Sequence, residues 1–114
     1  MIERTIRTPI MHRAVEAHGF VFFGGIIADD LSLDMAGQTR QVLDKLESYL
    51  GEAGTNKERI VSATAYVADL NLKKGMNDVW TQWFDPQHLP ARATLGVADL
   101  GDNVLLELVA TAAK

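Results

Sequence analysis

The sequence contains no cysteine. Disulfides, thiolate metal sites and a cysteine nucleophile are thereby excluded. Long hydrophobic runs are missing too: no segment approaches the ~20 apolar residues that a membrane-spanning helix needs. The first residues, Met1-Ile2-Glu3-Arg4-Thr5-Ile6-Arg7, lack the apolar core of a secretory signal. Basic residues are in deficit, with 11 Lys and Arg against 15 Asp and Glu and a formal net charge of -4. They are scattered, and Lys73-Lys74 is the one adjacent pair. Phosphate contacts carry most of the affinity of nucleic-acid binders, so the lack of a basic stripe disfavours that class. His12, His18 and His88 are too widely spaced to form a local metal-ligand pair. There is no phosphate-binding glycine loop, serine-nucleophile motif, internal repeat or linker. These absences point to a soluble cytoplasmic protein without membrane, metal or cofactor.

What is present is ordinary globular material. With 114 residues, 47% hydrophobic and 23% charged, the chain suffices for one domain, residues 1–114, with a real core. His12 to Ile27 reads as a hairpin. His12-Arg13-Ala14-Val15-Glu16 alternates, Ala17-His18-Gly19 supplies the turn, and Phe20-Val21-Phe22-Phe23 is apolar at every position, the pattern of a strand covered on both faces. Gly24-Gly25 ends or bends it.

After the cap candidates Asp29 to Asp34, a helix is expected from about Met35 to Ala53, with Val42, Leu43, Leu46, Tyr49 and Leu50 at helical spacing and Gly54 as its stop. Thr55-Asn56-Lys57-Glu58 has capping-box spacing and predicts one further turn. Ile60 to Ala68 is the next strand, with Val61, Ala63, Ala65 and Val67 on one face and Ser62, Thr64 and Tyr66 on the other. A second helix over roughly Leu72 to Phe84 carries Met76, Val79, Trp80 and Trp83 on one stripe, read as core, and Pro86 ends it.

The last quarter reads as a closing hairpin. Pro90 to Leu100 alternates, Gly101-Asp102-Asn103 turns the chain, and Val104 to Thr111 is apolar on both rows except for Glu107. If these strands pair directly around an even-length turn, Arg92 and Glu107 fall opposite or diagonal on one face. The order hairpin, helix, strand, helix, hairpin predicts an α/β fold with two helices on one face of a mixed sheet. The other face is also apolar, a patch larger than monomers usually expose, which predicts an oligomer with sheet packed on sheet. For the Arg92 and Glu107 pair, residue physics leaves two readings open. One is a structural cross-strand ion pair contributing ~0.2–1 kcal/mol. The other is a binding site in which the arginine fork takes a carboxylate and the glutamate polarises water.

Pro90-Ala91-Arg92-Ala93-Thr94-Leu95, with Leu106-Glu107 beyond the turn, resembles the C-terminal signature of the Rid family, also called YjgF or UK-type proteins. The resemblance runs from about His12 to Thr111 and includes Gly24-Gly25, Gln38-Thr39-Arg40-Gln41 and Asn77. It implies a chorismate-mutase-like fold and a homotrimer with sheets inside as a barrel, helices outside and sites in clefts between subunits. The activity it implies is hydrolysis of reactive 2-imino acids, or enamine tautomers of the 2-aminoacrylate type, to 2-oxo acids and ammonia. Arg92 would then anchor the substrate carboxylate and Glu107 would position the attacking water, with Gly25, Asn77, Thr94 and His12 lining the site. The chain departs from the family pattern in having Met11-His12 where active relatives often carry a tyrosine, and Thr94 where they often carry a cysteine or small residue. A carboxylate-binding or sensor protein without turnover is the alternative class, and the ribonuclease activity attributed to some relatives is a third.

Overall fold

The computed structural model describes residues 1–114. Six strands form one mixed sheet in the order β1-β2-β3-β6-β4-β5. They are β1 (Glu3–Arg7), β2 (His12–Ala17), β3 (Phe20–Ile26), β4 (Ile60–Val67), β5 (Ala91–Gly96) and β6 (Leu106–Ala113), with helices α1 (Met35–Glu52) and α2 (Lys73–Trp83). The β2–β3 hairpin forms as its sequence predicts. His18 and Gly19 alone make the turn, both at positive φ (53° and 80°). That is the primed geometry whose twist matches the flanking strands, and glycine adopts it without strain.

Asp34 caps α1, its carboxylate accepting from the Gly37 N–H at 2.9 Å. At the other end Gly54 and Thr55 donate their N–H groups to the carbonyls of Gly51 and Leu50 and close the last turn. A single 3-10 turn follows over Lys57–Arg59, capped by Asn56, while the Thr55 hydroxyl instead donates to the Ala113 carbonyl at 2.7 Å.

Both helices lie on one face of the sheet. Val42, Leu43, Leu46 and Leu50 of α1 and Met76, Val79 and Trp80 of α2 share one core with Val21, Phe23, Ala63, Ala65, Leu106 and Leu108. Burying each larger side chain contributes roughly 1.5–3 kcal/mol. Along β6 burial alternates strictly, with Leu106, Leu108, Ala110 and Ala112 buried and Glu107, Val109, Thr111 and Ala113 half-buried. The second row belongs to the face without helices. There Phe20 is 41% exposed, Phe22 48%, Val61 43% and Leu95 47%, so the uncovered face is apolar, as its sequence pattern predicts.

Three expectations need correction. First, β1 is a strand that the sequence hides, because Glu3, Arg4, Thr5 and Arg7 are exposed and show no core-facing alternation. Second, β4 has an irregular register between Ile60 and Ser62. One extra residue turns Val61 outward and puts Ile60 in the core row with Ala63, Ala65 and Val67. Third, the closing hairpin does not exist. β5 pairs in parallel with β4, and β6 inserts between β3 and β4, antiparallel to both. The turn residues are there, with Gly101 at φ 107° and Asn103 at 63°. They belong to a connection over residues 97–105 that carries the chain past β4. A strand apolar on both rows gains most in the centre of a sheet, with neighbours on both edges. β5, which carries an arginine, a threonine and a glycine, takes the edge.

Candidate functional site

Register decides where the two charges point. Arg92 lies beside Ala63 and Glu107 beside Tyr66, both on β4. Positions 63 and 66 differ by an odd number, so the two side chains leave the sheet on opposite faces. With β4 between their strands and three residues of offset, the Cα atoms stand about 14 Å apart by standard strand spacings. The expectation that Arg92 and Glu107 share a face is therefore wrong. The chain holds two separate candidate half-sites, one on each face of the sheet.

The first half-site sits under α2. Arg92 leaves β5 on the helix side, and its Nη2 donates to Asn77 Oδ1 at 2.7 Å. Its guanidinium carbon lies 4.9 Å from the centroid of the Trp80 ring. Asn77 and Trp80 are three residues apart on α2 and so share a helix face. Thr94, two residues along β5 and beside Ala65, points to the same side. Burial lowers the Arg92 pKa from its ordinary value, yet a guanidinium keeps its proton in proteins. The salt bridges of the chain are Lys45–Asp29, Lys74–Asp78 and Lys114–Glu16. Arg92 is thus a half-buried cation without a counter-ion, a costly arrangement unless a ligand supplies the anion.

The second half-site lies on the open face. Glu107 projects from the middle of the sheet and lies across Gly25 so closely that any Cβ there would overlap its carboxylate. The β3–β6 register breaks between Phe23 and Ile26, and this bulge sets the glycine under the acid. What Gly25 admits within one chain is the Glu107 side chain. Like Arg92, Glu107 has no counter-ion in the chain.

His12 joins neither half by a side-chain bond. It begins β2, paired with Arg7 of β1, and its carbonyl oxygen lies beside Gly24. β2 is two strands from β6 and four from β5, so His12 is the more distant from Arg92. Of the Met11-His12 pair, the Met11 sulfur packs against Gly24, 3.2 Å from where a Cβ would stand. The three histidines sit on β2, on the His18-Gly19 turn and in the 3-10 turn Pro86–His88, and no group of three His, Asp or Glu side chains could hold a metal.

Two residues matter more than their sequence context suggests. Trp80 is core, as its helical stripe predicts, but it also backs Arg92; its i, i+3 spacing from Asn77 was the available signal. Gln38 is fully buried. Its Nε2 donates to the carbonyls of Leu33 (3.0 Å) and Asn103 (2.9 Å), and its Oε1 accepts from the Leu105 N–H at 3.0 Å. It ties the lead-in of β6 to α1. Of four surface clefts, none is lined by Arg92, Asn77, Gly25 or Glu107. The largest, about 400 Å³, lies beside the last turns of α1 and the 3-10 turn that follows, lined by Glu47, Gly51, Thr55, Asn56, Lys57 and Glu58. It brings together none of the chemistry above.

A mixed sheet backed by two helices, with a half-buried arginine that lacks a counter-ion on its edge strand, defines a small α/β protein. The sequence model of the Endoribonuclease L-PSP family matches residues 5–114. A RutC family protein of Haemophilus ducreyi is 36% identical over 96 residues, covering 84% of this chain and 82% of its own. Among solved structures, a YjgF family member from Neisseria meningitidis superposes with a TM-score of 0.95 at 30% identity, covering 100% of this chain and 95% of its own. A Rid family protein from Yersinia pestis does so with a TM-score of 0.89 at 29% identity, covering 95% and 90%. The chain belongs to the Endoribonuclease L-PSP family, which comprises the YjgF/Rid proteins. No helix is long and apolar enough to cross a membrane.

Proposed function

We propose that the protein hydrolyses 2-imino acids, or their enamine tautomers, to 2-oxo acids and ammonia, at sites completed between the subunits of a homotrimer. The observation that carries this reading is Arg92, a half-buried cation without an internal acid, held by a neutral amide and an aromatic face. Such a group suits a small carboxylate ligand, which a planar guanidinium takes bidentately. The carboxylate would fix the adjacent C=N bond. Water then adds to the imine carbon and gives a proton to Glu107. Glu107 passes that proton to the nitrogen, the C–N bond breaks as the added hydroxyl becomes the C=O, and the hydroxyl proton leaves with the ammonia as ammonium. A protonated imine is already electrophilic, so one positioned base suffices. Neither a metal nor a cofactor enters this scheme.

Because Arg92 and Glu107 face opposite ways, the Glu107 in reach of a bound substrate belongs to another copy of the chain. Two features support assembly. The open face is apolar and uncovered, and β5 is an edge strand with one side unpaired. In the test, 2-aminoacrylate or 2-iminobutanoate is generated in situ and its decay followed with and without protein. Accelerated decay that disappears in Arg92→Ala is expected. No acceleration, or full activity in that variant, would overturn the proposal.

A carboxylate-binding module without turnover is the second reading, favoured by the lack of any base near Arg92 within one chain. Binding of 2-oxo acids with no hydrolysis of imino acids would select it. Ribonuclease activity is disfavoured by the acidic charge and scattered basic residues, and steep salt-dependent RNA binding would reverse that judgement.

A further inference from the structure

Three cation–aromatic contacts occur in the chain, and they differ in kind. Arg13 lies over Tyr49 at 5.7 Å and Lys57 over Trp83 at 4.7 Å. Lys57 also donates to the Trp83 carbonyl at 3.0 Å, so its ammonium is already bound to the protein and fastens the 3-10 turn to α2. Arg92 is different. Asn77 Oδ1 takes one of its five donors. The ring beneath it is anchored from behind, since Trp80 is only 5% exposed and stacks on Phe84 with centroids 4.7 Å apart and planes tilted by 50°.

We propose that Trp80 is a positioning residue of the Arg92 site, an immobile aromatic platform that, with Asn77, holds the guanidinium in the plane in which it receives a small carboxylate. The proposal rests on the carboxylate-anchor reading above and adds to it the part that makes the anchor rigid. Burial disfavours a charged guanidinium, and the chain supplies no acid to offset this. The negative face of an indole and one amide oxygen are the groups in contact that favour the cation. Neither competes with a ligand for the remaining N–H groups. A carboxylate counter-ion from the chain would have occupied the fork, whereas a ring stabilises the charge from below and leaves the edge free. An arginine side chain is otherwise floppy, so fixing it beforehand lowers the ordering cost at binding.

The test measures 2-oxobutanoate binding by calorimetry on the full-length protein and hydrolysis of 2-iminobutanoate in parallel. Trp80→Leu is expected to raise Kd about 10-fold and Trp80→Phe about 3-fold, following the order of cation affinity of the ring faces. Val21→Ala trims the same core from β3, three strands away from β5, and is expected to stay within about twofold. The Trp80 losses should fall on KM with kcat little changed, as for an interaction made equally in ground and transition states. Should Trp80→Leu not fold, fluorinated tryptophan incorporated in a Trp83→Phe background keeps the ring shape while draining its negative face, and should raise Kd about 3-fold or more. Equal weakening by Trp80→Leu and Val21→Ala, or an unchanged Kd with fluorinated tryptophan, would overturn the positioning role while leaving the Arg92 site standing. Failure of the unmodified protein to bind 2-oxobutanoate, or wild-type binding by Arg92→Ala, would overturn the anchor itself and this proposal with it.

Discussion

The two half-sites are built on different principles. Arg92 sits on an edge strand, yet a helix lies over it and supplies a hydrogen bond and a ring, so its position is fixed within one chain. Glu107 sits on an inner strand of the sheet, yet the face it projects from has no helix, and its carboxylate rests in the Gly25 notch with Tyr66 beside it on β4. An edge residue is thus the better held, because layers above a sheet determine side-chain order as much as place within it. The proposed anchor is complete in the monomer, and the proposed base waits for whatever covers the open face.

That contrast can be broken from either side. The largest effect is expected from Glu107→Gln, which keeps the shape and removes the base. It should lower kcat by about 10²–10⁴-fold while 2-oxo acid affinity, set by Arg92, changes little in titrations. Arg92→Ala should do the reverse, weakening 2-oxo acid binding by about 10²–10³-fold through loss of a bidentate charged contact, and Arg92→Lys should not restore it. Gly25→Ala pushes the Glu107 carboxylate from its notch. About 10²-fold in kcat is expected from such a misplacement, with calorimetric binding at Arg92 preserved. The smallest effect on chemistry belongs to Gln38→Leu. It strands the Leu105 N–H and two carbonyls and should cost about 2–4 kcal/mol in denaturant titrations, while protein that remains folded keeps its activity.

Local structure was legible where local physics decides it. Helix α1 and its Gly54 stop, the His18-Gly19 turn and the bounds of α2 follow from periodicity and capping chemistry, within a residue or two of their observed ends. Pairing was not legible. Gly101-Asp102-Asn103 is a turn in any context, and nothing in those residues says whether the chain returns beside β5 or crosses β4 first. The clue was β6 itself, apolar on both rows and therefore destined for the centre of the sheet. The faces of Arg92 and Glu107 depend on that pairing, so they were misplaced with it. Val61 shows the same limit on a smaller scale, since one bulged residue reverses the parity that alternation assigns. The placement of the individual candidate residues is mixed. Arg92, Asn77 and Thr94 gather on one side of β5 and Glu107 meets Gly25, while His12 stays apart.

The central claim is that one catalytic site takes its arginine and its glutamate from different copies of the chain. Mixing the two inactive variants, Arg92→Ala and Glu107→Gln, by co-refolding in equal amounts tests it directly. If the halves meet across subunits of a cyclic trimer, about a quarter of the sites in randomly mixed assemblies carry both intact residues, and imino-acid hydrolysis should recover to about a quarter of the wild-type level. If both residues of a site came from the same chain, no mixed assembly would hold a complete site. Activity that stays at the level of the separate variants, in assemblies shown to have exchanged subunits, would contradict the account.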